Sequence, residues 1–78
     1  MKRPICLIAK EIENEWKDKV YFGARPYLNA MYFLSDKNDK YGFDSASEIL
    51  NYFLANASTF RGETARKLKE EIKEHLKG

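Results

Sequence analysis

Two apolar stripes at helical spacing bracket the chain and do most to constrain its fold. Ile5, Ile8, Ile12 and Trp16 recur three and four residues apart near the start, and Ala65, Leu68, Ile72 and Leu76 do so near the end. Residues at that spacing line one face of an α-helix, whereas in a strand they would scatter over both faces. Lys10, Glu11, Glu13, Glu15 and Lys17 take the other sides of the first stretch. Lysines, Arg66 and glutamates alternate around the second. Both read as amphipathic helices, each with a face that needs a partner. On the last one, Glu63–Lys67 and Arg66–Glu70 stand at the spacing of helix ion pairs.

The middle of the chain supplies the partners. Pro4 and Pro26 suit the first turn of a helix, where a missing N–H costs little. They place helix one from Pro4 to about Lys17 and helix two from about Ala24 to Leu34. Helix two is apolar nearly all round from Tyr27 to Leu34, so it is expected to be buried on most sides. In so small a protein that leaves two arrangements: a central helix, or one face in a dimer interface. Ser45-Ala46-Ser47-Glu48 is a capping box that starts helix three. Its broad apolar face is Ala46, Ile49, Leu50, Phe53, Leu54 and Ala57, and Asn56 lies near its end. Ser58 or Thr59 stands where it can cap helix four, with Phe60 either opening that helix or anchoring the corner.

Asp18 to Phe22 breaks the helical pattern and has no second strand to pair with. It reads as a connector whose aromatics fold onto the core, turning at Gly23. Ser35 to Asp44 is the longest polar segment and reads as a helix–helix loop, with Gly42 supplying a turn conformation closed to other residues. Its resemblance to a calcium loop fails in register: counting from Asp36, the fifth position is Lys40, the sixth Tyr41 and the twelfth Ser47. The result is an all-α fold, a compact bundle of four short helices in one domain spanning residues 1–78, monomeric or dimeric.

Composition narrows the chemistry. Cys6 is the only cysteine and His75 the only histidine of 78 residues, so no intrachain disulfide and no Cys/His zinc site can form. Cys6 reads as a small buried hydrophobe, and His75 as a solvated residue favoured by a helix C-terminus. No nucleophile, base and orienter converge, so the chain reads as a non-enzyme without a cofactor. The formal net charge of +2 is weak for a protein that tracks phosphates. Ile5 to Ala9 is too short an apolar run for a signal peptide, and no stretch approaches a membrane span; a cytoplasmic setting is expected.

The candidate site is the corner from Tyr52 to Arg66, where an apolar helix gives way to a charged one. Arg61 and Arg66 bracket the start of helix four, and Arg25 precedes Pro26 at the start of helix two. Arginine forks bind phosphate bidentately and helix N-termini add backbone donors. Tyr21, Tyr27 and Phe60 are candidates to stack on a base, and Asn56 to read a polar edge. The competing reading gives these arginines structural work, covering rings or pairing with Asp39, Asp44 or Glu48. A second competitor is a small nucleic-acid-binding regulator that lays the basic side of helix four on phosphates, although interleaved glutamates blunt that side.

The strings Val20-Tyr21-Phe22-Gly23-Ala24, Pro26-Tyr27-Leu28, Asp39-Lys40-Tyr41-Gly42, Tyr52-Phe53-Leu54-Ala55-Asn56-Ala57 and Arg61-Gly62-Glu63-Thr64-Ala65-Arg66 resemble a family of short proteins encoded by bacteriophages and prophages. The resemblance covers nearly the whole chain. The family pattern has Trp before the Arg-Gly pair where this chain has Phe60, which keeps a ring and loses an indole N–H. The resemblance brings no catalytic residue. It implies a phage accessory factor in the host cell that acts by binding, on a host protein, a defence component or a nucleotide signal.

Overall fold

The computed structural model describes residues 3–77. Helix α1 spans Ile5–Trp16 and is followed by a 3₁₀ turn at Lys17–Lys19; α2 spans Arg25–Met31, α3 Ala46–Ala55 and α4 Glu63–Lys77. The fold is predominantly helical. Helix α1 packs against α2 and α4, and α3 against α2 and α4, within an envelope of 28 × 26 × 18 Å. The core is built as the periodicity predicts: Ile5, Ile8, Ile12, Leu28, Met31, Leu50, Phe53 and Ile72 are fully buried.

Two devices hold the first helix in place. The unpaired N–H groups of its first turn are answered from elsewhere in the chain: Ile5 and Cys6 donate to the carbonyls of Ser35 and Leu34, both at 2.9 Å. Just before it, Arg3 forks onto Glu71 of α4 at 2.6 Å through two nitrogens and onto Glu11 at 2.8 Å. His75 closes the same junction, its Nε2 lying 2.6 Å from the Arg3 carbonyl. It is buried to 4 % exposure, which corrects its assignment to solvent. The inward face of α4 is Ala65, Leu68, Ile72 and His75, with Leu76 only partly covered. A carbonyl left over at the chain entry accounts for the imidazole in the core.

Other expectations are corrected as well. Helix α2 ends at Met31, three residues short of Leu34, because Tyr32, Phe33 and Leu34 tighten into bonds three residues back. Only Leu28, Ala30 and Met31 of that helix are buried, and Phe33 beyond it is 72 % exposed. The connector aromatics do not fold onto the core either: Tyr21 is 43 % and Phe22 81 % exposed. The polar segment carries a small antiparallel ribbon, β1 (Lys40–Tyr41) paired with β2 (Asp44–Ser45). Gly42 has φ +65°, while Phe43 does not share the positive sign. That combination is the II′ turn pattern, whose twist suits a two-residue hairpin. The capping box forms as expected: Ser45 Oγ accepts from Glu48 N–H and Glu48 Oε1 accepts from Ser45 N–H, both at 3.2 Å.

Candidate functional site

The α3–α4 corner is organised by a turn that neither Ser58 nor Thr59 caps. Phe60 N–H donates to the Ala57 carbonyl at 3.0 Å, closing a turn before α4 begins. Gly62, at φ +116°, then stands immediately ahead of Glu63, and its carbonyl accepts from Arg66 N–H at 2.9 Å. A glycine serves there because side chains rarely adopt that φ. The corner is pinned to α4 by Lys69, whose Nζ donates to the Ala57 carbonyl at 2.8 Å and lies 5.9 Å from the centre of the Phe60 ring.

Phe60 belongs to the core rather than to a ligand. It is 4 % exposed and stacks on Trp16 at a centroid distance of 4.9 Å and 24° between planes. Trp16 in turn meets Phe53 edge to face. With Trp16 stacked on it and Lys69 over the ring, Phe60 offers no surface for a base. Arg25 is also engaged. Its fork holds both carboxylate oxygens of Glu13, at 2.7 and 3.0 Å, and reaches Asn29 at 3.4 Å. That partner on α1 is none of the acids weighed from the sequence. The Arg25 guanidinium holds the Glu13 carboxyl below the usual carboxylate range.

The remaining candidates fall into two groups. Tyr21 and Asn56 come together around Gly23, where a Cβ would stand 2.6 Å from the Tyr21 ring and 2.9 Å from Asn56 Oδ1. The Asn56 amide donates to the Tyr52 carbonyl at 2.9 Å, leaving Oδ1 beside the ring. Phe22 packs on Tyr21 at 4.9 Å, and Tyr27 stacks on Tyr52 at 5.4 Å. Tyr27 is half-buried, so only part of that ring faces outward.

Arg61 and Arg66 form the second group. They share a groove of about 250 Å³ with Lys69 and Lys73. Arg61 Nε donates to the Ser58 carbonyl at 3.3 Å, but among the described residues neither arginine has a carboxylate partner. The Arg66–Glu70 and Glu63–Lys67 pairs expected from spacing do not form; Glu70 pairs instead with Lys73 at 3.4 Å. Burial, and then the charges of Lys73 and Arg61, push the Lys69 ammonium below its ordinary pKa. Lys69 and Lys73 are not singled out by a sequence reading that sees only alternating charge. Their signal is a four-residue spacing from Lys69 to Lys73 on the side of the helix that Arg66 shares.

Among the described residues, no three His, Cys, Asp or Glu side chains converge as a metal site, and no helix is long and apolar enough to cross a membrane. Comparison with protein-family profiles, curated proteins and solved structures returns no match. The geometry of the corner therefore carries the functional reading.

Proposed function

We propose that this is a non-catalytic binding protein that takes an anionic nucleotide at the α3–α4 corner. One observation carries the reading: Arg61 and Arg66, without carboxylate partners among the described residues, converge with Lys69 and Lys73 on one groove, whose single carboxylate, Glu70, pairs with Lys73. Exposed guanidinium forks that are not tied up by carboxylates are available to a ligand, and they match phosphate oxygens in geometry and charge. Tyr21 and Asn56, adjoining the same corner, supply a ring face and an amide oxygen for a base. The resemblance to phage-encoded proteins supports an accessory role in the host cytoplasm, in which sequestering a nucleotide signal counteracts host defence.

A thermal-shift series with mononucleotides, cyclic dinucleotides and ADP-ribose tests it. A ligand at about a hundred times its dissociation constant adds roughly 2.7 kcal/mol, and each kcal/mol moves the midpoint of a domain this size by about 4–8 °C. The expected result is a shift for at least one phosphate-bearing class that the Arg61→Ala, Arg66→Ala double variant loses. A shift that survives both substitutions overturns the assignment.

A second reading, binding of a host protein or of a second copy, is favoured by a separate feature. Phe33, Tyr41 and Phe43 are 72 %, 44 % and 104 % exposed, with Phe33 and Tyr41 in ring contact at 5.5 Å. Clustered exposed aromatics mark contact surfaces. A sedimentation experiment, run with and without Phe43→Ser, measures whether this face self-associates.

A further inference from the structure

The basic groove does not end at Arg61. A larger depression of about 480 Å³ shares Phe60, Arg61 and Gly62 with it and crosses to Glu15, Trp16 and Lys19 at the end of α1. A third, of about 450 Å³, shares Glu15, Trp16 and Lys19 with the second and reaches Lys17. The three share lining residues in series and are taken together as one trough, with the Trp16–Phe60 stack under its middle part. Along it the cations are distributed rather than concentrated: Lys73, Lys69, Arg66 and Arg61 at one end, then Lys19, then Lys17. Glu15, Asp18, Glu63 and Glu70 interrupt them, and Glu70 pairs with Lys73. Lys17 and Lys19 are exposed and, among the described residues, have no carboxylate partner. The exposed Tyr21–Phe22 pair follows Lys19 directly in the chain after Val20.

A single phosphate needs one cluster of forks. Cations strung along a trough, with an exposed ring pair two residues beyond Lys19 in the chain, match a chain of phosphates that carries bases. We propose that the ligand of this site is an oligonucleotide with at least two phosphodiester groups, bound along the trough from the Arg61–Arg66 groove to Lys19. The trough's carboxylates keep net charge low while spacing the cations, so binding depends on where the phosphates fall. An acidic peptide shares the charge but has no bases for the Tyr21–Phe22 pair. This rests on the nucleotide reading above and adds the second anchor.

The test is fluorescence anisotropy and competition on the full chain with four probes: AMP, a cyclic dinucleotide, a labelled single-stranded decathymidylate and a decaglutamate peptide. Wild type is expected to bind the decathymidylate or the cyclic dinucleotide at least tenfold more tightly than AMP and the peptide. Whichever of the two binds distinguishes a linear from a cyclic source of the same chemistry. Lys19→Ala lies on an exposed turn and leaves the fold intact. It is expected to weaken the oligonucleotide about five- to tenfold and to leave AMP unchanged. With the decathymidylate it also lowers the slope of log affinity against log salt by about 0.7, the share of one phosphate contact on a single strand. Equal affinity for AMP and both oligonucleotides, an unaffected Lys19→Ala variant, or the acidic peptide binding as well as the decathymidylate each overturns the proposal. AMP binding that the Arg61→Ala, Arg66→Ala variant loses would leave the nucleotide reading standing even then. If no nucleotide binds, or binding survives that double substitution, the nucleotide reading and the trough proposal both fail.

Discussion

Trp16 and Phe60 stack 4.9 Å apart with their planes 24° from parallel, and this one contact joins the end of α1 to the corner that carries Arg61. The pair is both core and floor of the basic trough. Phe60→Ala removes a buried ring and leaves Trp16 without its stacking partner. A loss of about 3–5 kcal/mol is expected, read as a lower urea midpoint with the slope unchanged. Phe60→Leu fills part of the volume and is expected to recover a large share of it.

Much of this architecture is legible in the sequence, for a reason the burial makes plain. The stripes Ile5–Ile8–Ile12–Trp16 and Ala65–Leu68–Ile72 are local signals, and the core uses them as written. The Ser45–Glu48 capping box is local too, and it forms. What cannot be read depends on residues far apart in the chain. His75 is buried because the carbonyl of Arg3 needs a donor, and nothing near position 75 announces that. Arg25 finds Glu13 because α1 and α2 pack together. The polar neighbours of Phe60 point it toward a ligand, whereas its partner Trp16 lies at the far end of another helix. Arg61 and Arg66 are legible because a chain corner followed by a charged helix is a sequence-level feature; Lys19 joins them only through the packing of α1 on α4.

The Arg25–Glu13 pair is a structural tie, so its removal should leave the proposed anion groove alone. Both side chains keep more than 30 % exposure, so solvent screening limits the pair to under about 1 kcal/mol. The Glu13 carboxyl is held below its ordinary value of 4.5, first by hydrogen bonding to Arg25. A depressed carboxylate contributes stability above its unfolded pKa and loses it as pH falls through the folded value. Arg25→Gln is therefore expected to lower stability slightly at pH 7 and to flatten the acid limb below the ordinary carboxylate pKa. Urea titrations from pH 7 to pH 2 measure both, and nucleotide affinity at pH 7 should be unchanged.

Lys17 is the one non-glycine described residue with positive φ, at 52°. It follows the last residue of α1, and its N–H donates to the Glu13 carbonyl. Its ψ of −127° makes this a strained positive-φ conformation that glycine adopts more readily, having no Cβ to crowd the backbone. Lys17→Gly relieves backbone strain of about 1–3 kcal/mol against about 0.4–1 kcal/mol of added unfolded-chain entropy, and is expected to raise the thermal midpoint. If Lys17 also contacts the bound oligonucleotide, the same variant weakens that ligand while stabilising the free protein, a divergence that a purely structural residue would not produce.

Ser45→Ala breaks the capping box at both ends, since Ser45 Oγ serves Glu48 N–H and orients the glutamate that returns to Ser45 N–H. A loss of about 1 kcal/mol is expected, against a few tenths for Ser45→Gly, which keeps the extended backbone of the cap. Both variants delete the hydroxyl, so a Ser45→Ala loss near zero would show that the Ser45 side-chain bond contributes little.

If the groove binds an anion as proposed, Lys69 gives that binding a pH dependence of defined sign. Burial and the neighbouring charges of Lys73 and Arg61 hold its pKa below the ordinary value of 10.5, so the free protein releases that proton earlier than a solvated lysine would. An anion in the groove favours the charged form and raises the pKa again. Binding therefore takes up protons in the interval between the two values, and affinity falls as pH rises through the lowered one. Lys69→Arg stays charged throughout and is expected to flatten the decline, while Lys69→Met weakens binding even at neutral pH. Calorimetric titrations of the tightest nucleotide ligand at pH 7, 8, 9 and 10 measure the slope. Parallel slopes in wild type and Lys69→Arg would place the titrating group elsewhere and confine Lys69 to its bond with the Ala57 carbonyl.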